Sequence, residues 1–156
     1  MSGMHPLLFF LYLFWISFCF AKVEIAVEGK HGWAADLPTW RLPKTNWASL
    51  LFFEGKPITG YHTWVETFIL SMLHIVYVFE APTWELEVQI LAFFFFFSVL
   101  EDFLWFLLNP AFGLKNFRKE KIWWHRKSWW GIAPREYYFF LALGTLLYSL
   151  PFLIGQ

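Results

Sequence analysis

The chain has 156 residues, of which 58% are hydrophobic, 24% aromatic and only 15% charged, and its formal net charge is zero. A soluble domain carries roughly a quarter charged residues, so this chain lacks the charge to cover a soluble surface, and its aromatic share excludes a disordered one. The single cysteine, Cys19, excludes an intrachain disulfide scaffold.

What remains is an integral membrane protein, all-α and folded as a single transmembrane domain over residues 1–156. Four stretches approach the roughly 20 apolar residues needed to cross a bilayer core. The first covers residues 7–28, apolar as far as Ala21 and continuing as helix beyond it. A cleaved signal peptide needs a basic start, and residues 1–6 hold no Lys or Arg, so this span is expected to be retained. The second covers 61–80. The third covers 84–109 and is stopped by Asn109 and Pro110, and the fourth covers 137–154 with Pro151 near its end. A bundle of four transmembrane helices with two aromatic-rich interfacial loops is the simplest architecture.

Charge placement sets the expected orientation. Five of the 12 Lys and Arg fall between Lys22 and Lys56, and the other seven between Lys115 and Arg135. The turn between spans two and three carries Glu80, Glu85 and Glu87 instead, which are read as obeying topology alone. Cytoplasmic loops hold the excess of Lys and Arg, so both termini are expected on the non-cytoplasmic side and both large loops inside. The first loop holds Trp33, Trp40, Trp47, Phe52 and Phe53, and the second holds Trp123, Trp124, Trp129 and Trp130. Aromatics of this kind sit at headgroup level. Beside two spans, the basic and Trp-rich second loop is better explained by anionic headgroups than by nucleic acid.

An ionisable side chain inside a span costs about 2.5–3.5 kcal/mol on insertion scales and points to function by default. Span two carries His62, Glu66 and His74, and span three carries Glu101 and Asp102. At a rise of about 1.5 Å per residue, Glu66 lies roughly 8 Å below the basic side and Glu101 and Asp102 roughly 10–12 Å below it, at one level. His62 and Glu66, four residues apart, share a helical face, and Ser98, Asp102, Trp105 and Asn109 form a second polar stripe flanked by Glu101. His74 lies deeper and is read as a helix–helix hydrogen-bonding group. As a haem ligand it has no second histidine at its depth. From the same basic side, Glu28, His31 and His125 can join the cluster.

Three chemistries fit these residues. His62, Glu66, Asp102, His125, Glu28 and His31 are metal-ligand types suited to a divalent iron, zinc or manganese. Glu28 and His31 even share the Glu-x-x-His spacing of carboxylate-bridged bundles, although Gly29 and Gly32 interrupt the helix that spacing requires. Without metal, His62, Glu66, Glu101, Asp102 and His125 supply acid–base groups. Trp105 and Trp124 would wall such a site and Arg126 would hold an anionic group. Alternatively, the carboxyls pair with loop cations in a purely structural network. No P-loop, Gly-x-Gly-x-x-Gly, Gly-x-Ser-x-Gly or His-Glu-x-x-His motif is present. Residues 32–41, 59–62 and 101–106 with Asn109-Pro110 look like signatures rather than filler.

The expectation is a small membrane-embedded enzyme acting on a lipid or other apolar substrate at the cytoplasmic leaflet. Its partners are membrane lipids and that substrate, with no nucleic acid and with a homo-oligomer left open. The alternative is a non-enzymatic membrane protein, such as an assembly partner, small channel or binding protein, whose polar cluster is structural.

Overall fold

A computed structural model describes residues 5–43 and 56–154. Trp47, Phe52 and Phe53 of the first loop lie outside the described residues. Among the described residues the protein is mostly helical. Its helices are α1 (Pro6–Glu28), α2 (Gly60–Leu73), α3 (Trp84–Leu108) and α4 (Arg135–Ile154). A 3₁₀ turn, His74–Val78, continues α2, and a second, Leu114–Asn116, follows α3. A two-stranded antiparallel hairpin, β1 (Trp129–Trp130) and β2 (Ala133–Pro134), leads directly into α4.

The helix boundaries follow from local chemistry. Pro6 opens α1, where its missing N–H costs nothing. Gly29, at φ 66°, closes the helix after Glu28. Thr59 caps α2 by accepting the His62 N–H at 3.2 Å, and Thr83 caps α3 by accepting the Leu86 N–H at 3.2 Å. Glu85 and Glu87 in the first turn of α3 complement its N-terminal dipole. The helix ends at Leu108 because Pro110 disfavours helical backbone at Asn109.

Three helices, α1, α3 and α4, are long and apolar enough to cross a membrane. The central one is α3, with 50% of its most apolar window buried against 17% for α1 and α4. Leu13, Phe93 and Phe97 form one core cluster, so part of the Phe93 to Phe97 run is internal packing. Trp105, Phe106, Ile122 and Trp124 form a second, at the end of the bundle where the two basic loops gather. The loop between α3 and α4 is therefore folded protein, with Ile122, Trp124, His125 and Ser128 buried.

The described parts of the first loop are equally well built. The Arg41 guanidinium donates to the carbonyls of Thr39 at 2.9 Å, of Ala35 and Leu37 at 3.2 Å, and of Ala34. Thr39 Oγ1 accepts the Tyr61 N–H at 2.8 Å, and the Trp40 carbonyl accepts the Gly60 N–H at 2.9 Å. Two of the segments that stand out in the sequence, 32–41 and 59–62, are thus one folded unit. The third joins it through Asn109, whose Nδ2 donates to the Gly29 carbonyl at 2.8 Å. At the opposite end, Glu87 accepts from the Tyr77 hydroxyl at 2.6 Å and lies 3.2 Å from His74 Nε2. His74 is accordingly a hydrogen-bonding link between chain segments. Glu87, read from the sequence as topological charge alone, ties the start of α3 to the end of the α2 segment.

Candidate functional site

A cavity of about 300 Å³ sits at the loop end of the bundle, and all four helices contribute to its lining. It brings together most of the residues singled out from the sequence: Glu28, His62, Glu66, Glu101, Asp102 and His125, with Trp105 and Trp124 as walls. Glu66, Glu101 and Asp102, from two different helices, line it together. Ser98 and Trp105 of the α3 stripe line it too.

On one side stands His125, 4% exposed. Its Nε2 lies 3.4 Å from Asp102 Oδ2, the same oxygen to which the Tyr137 hydroxyl donates. Its Nδ1 lies 3.4 Å from Lys56 Nζ and 3.6 Å from Glu136 Oε1, and Lys56 itself pairs with Glu136 at 3.1 Å. This polar chain is held by four parts of the protein: Asp102 on α3, Glu136 and Tyr137 at the start of α4, His125 in the loop between them, and Lys56 just ahead of α2. On the other side stands His62, hydrogen-bonded to Thr59 Oγ1 at 2.6 Å and 3.4 Å from Glu28 Oε1. The Glu28 carboxylate also accepts the backbone N–H of Ala34, which fixes it beneath the first loop.

That loop reaches the site through unusual backbone. Gly29, Gly32, Trp33 and Ala34 all have positive φ, a region costly for residues with a Cβ. Gly32 needs its freedom, since a Cβ there would meet the Trp124 ring at 2.5 Å and the Trp105 ring at 3.1 Å. The reversal lays the Trp33 ring over His62 and anchors the Trp33 indole N–H on the Pro57 carbonyl at 2.8 Å.

Some expected members lie elsewhere. His31 is exposed and hydrogen-bonded to Asp36, because the helix that would have aligned it with Glu28 ends at Gly29. Arg126 is exposed and donates to the Glu120 carbonyl at 3.2 Å, away from the cavity lining. Other lining residues escape sequence reasoning. Lys56 reads only as an orientation charge, Tyr137 as the first apolar residue of a span and Trp33 as an interfacial aromatic, and Glu136 gives no sequence signal. Glu24 carried a usable signal, since it shares a helical face with Glu28.

Several buried polar atoms of the lining lack a well-directed hydrogen bond among the described residues: Trp105 Nε1, Glu101 Oε1, His125 Nε2 and both Glu136 oxygens. His125 Nε2 and Glu136 Oε1 nonetheless lie within 3.4 Å and 3.1 Å of the charged groups of Asp102 and Lys56. Buried groups of this kind are costly unless something in the cavity satisfies them. As for a metal, no group of three or more His, Cys, Asp or Glu among the described residues is arranged to hold one. Each of the two histidines lies instead beside carboxylates, His62 by Glu28 and His125 by Asp102 and Glu136.

No protein-family model, curated protein or solved structure matches this chain.

Proposed function

We propose that the protein is a small membrane-embedded enzyme that performs acid–base chemistry on a lipid or other apolar substrate at the cytoplasmic leaflet. The observation that carries this reading is the cavity itself. It holds two histidines beside carboxylates, aromatic walls and unsatisfied polar atoms, all inside an apolar bundle. Stability alone favours removing such groups from a core. In this scheme the His125–Asp102 pair exchanges the proton as a unit, with Tyr137 holding Asp102 and with Lys56 and Glu136 at the other nitrogen of the ring. His62, set by Thr59 and Glu28, faces the substrate from the opposite side.

The membrane setting extends the same reading to four crossings. With α2 at about 1.5 Å per residue and its 3₁₀ extension at about 2.0 Å, the segment reaches roughly 31 Å, enough for a hydrocarbon core of about 30 Å. Exposed Leu7, Leu8, Leu11, Phe14 and Trp15 on α1 suit contact with lipid. The gathering of both basic loops at one end agrees with placing that end in the cytoplasm.

A structural role for the cluster is the second reading, favoured by the Lys56–Glu136 pair, which satisfies charge without any ligand. Single replacement of Glu66, Asp102 and His125 by Ala separates the two. The enzyme reading expects folded protein that has lost turnover or ligand binding. If all three variants fail to fold, the structural reading replaces it. Elemental analysis of protein purified without chelator tests the chemistry: acid–base catalysis expects no stoichiometric iron, zinc or manganese, and one equivalent of any of them would make it metal-assisted.

A further inference from the structure

The balance of charge in the cavity carries information about what it binds. Each basic group of the lining has an acidic neighbour: Lys56 has Glu136 at 3.1 Å, His125 has Asp102 at 3.4 Å and His62 has Glu28 at 3.4 Å. Three further carboxyls, Glu24, Glu66 and Glu101, line the same space with no ion pair to a basic side chain among the described residues. Glu24 accepts the Tyr61 hydroxyl at 3.3 Å. Glu101 is only 7% exposed; its carboxyl lies beside that of Glu24, and its Oε1 has no hydrogen-bond donor among the described residues. A buried carboxyl oxygen without a protein donor is free to accept from water or from the head of a bound molecule.

The walls point the same way. Lys56 Nζ sits 4.4 Å from the centroid of the Trp33 ring, so this lining already accommodates one ammonium against an aromatic face. Trp105, Trp124 and Tyr137 add further aromatic surface. An anionic head would meet six carboxyls, and Arg126, the side chain expected to receive it, is turned out of the lining. The cavity is also graded in polarity. Along α3 its lining runs from Trp105 to Phe94, roughly 16 Å at the helical rise. At the Phe94 end, Phe140 of α4 faces it as well. Among the described residues α2 makes no substantial packing against α4, and Phe94 and Phe140 are only half-buried.

We infer that the cavity binds a long-chain amine, its ammonium held among Glu24, Glu66 and Glu101 and its alkyl chain leaving past Phe94 and Phe140 between α2 and α4. This rests on the proposed enzymatic reading and names the substrate class for the same site.

The test uses the full chain in a neutral detergent, with dodecylamine, dodecanol and dodecyl phosphate as probes and thermal unfolding as readout. Dodecylamine is expected to raise Tm saturably, and the other two to leave it near the detergent baseline. Glu101→Gln and Glu66→Gln keep the shape of the site, and each should weaken the amine effect at least about tenfold. Two substitutions on different helices guard against one of them failing to fold. Dodecyl phosphate or dodecanol acting as strongly as the amine overturns the inference, as does an amine effect unchanged in both variants or no effect of any probe. The enzymatic reading is judged separately, by whether turnover depends on His125, so an anionic or neutral substrate processed through His125 would remove this inference and leave that reading standing.

Discussion

Trp33 lies nearly parallel to His62, with ring centroids 4.0 Å apart and planes inclined by 20°. Trp33 reaches that position only with φ at 50°, held by its indole bond to the Pro57 carbonyl. The backbone cost of the first loop is thus tied to the orientation of one histidine in the cavity, the arrangement expected where strain serves a site.

Replacing Trp33 should separate its two roles. Trp33→Phe keeps a ring over His62 but loses the Pro57 hydrogen bond, with an expected cost of about 1 kcal/mol. Trp33→Ala also removes the stack and should lower activity far more than Trp33→Phe does. Thermal unfolding in detergent, paired with a turnover or binding assay, reads both effects. Equal activity of the two variants would show that the stack does not matter to the site.

The glycines of the same loop offer a contrast. Gly32→Ala meets Trp124 at 2.5 Å and also has φ at 63°, so strain and overpacking act together. The expected loss is about 2–5 kcal/mol. Gly29→Ala shares the positive φ but has open space around its Cβ, so its cost should stay near the strain alone, about 1–2 kcal/mol. Comparison of the two Tm values checks this order.

The helices were readable because a bilayer-length apolar run leaves few alternatives. Spans expected at 7–28, 84–109 and 137–154 correspond to α1 at Pro6–Glu28, α3 at Trp84–Leu108 and α4 at Arg135–Ile154. The second stretch, 61–80, departs because α2 tightens into 3₁₀ geometry at His74, where the ring bonds back to the Leu70 carbonyl at 2.6 Å. In the site, Glu66, Glu101 and Asp102 were legible since charge within an apolar run announces itself. Lys56 and Glu136 were not, because they sit in basic or boundary segments where charge is ordinary. Their partnership spans 80 positions of sequence, and only tertiary packing reveals it. His31 was misplaced for a local reason, the reversal of the chain at Gly29.

Lys56 and Glu136 define a third prediction. Both are largely withdrawn from solvent, so Lys56→Met leaves a carboxylate without its cation and should cost about 3–5 kcal/mol. The double variant Lys56→Met with Glu136→Gln removes both charges and should recover much of that loss. A double-mutant cycle on thermal stability measures the coupling, and additive effects would mean the pair is not energetically linked.

At the opposite end, Glu87→Ala releases Tyr77 and His74 together. These groups are partly exposed, so the expected cost is only about 1 kcal/mol or less. Activity should remain at the wild-type level, because none of the three lines the cavity. A loss of activity in this variant would mean that the far end of the bundle is coupled to the site.

The most direct test of the account is the lipid composition of membranes carrying the wild-type protein or its Asp102→Asn variant at matched protein levels. The substitution keeps the shape of the side chain while removing the charge that faces His125. If the cavity is an enzyme's site, one class of lipid or apolar metabolite is depleted and a product accumulates in the wild-type membranes, and the difference disappears in the variant. Identical lipid profiles from wild-type, variant and empty membranes, with the variant folded, would contradict the enzymatic reading.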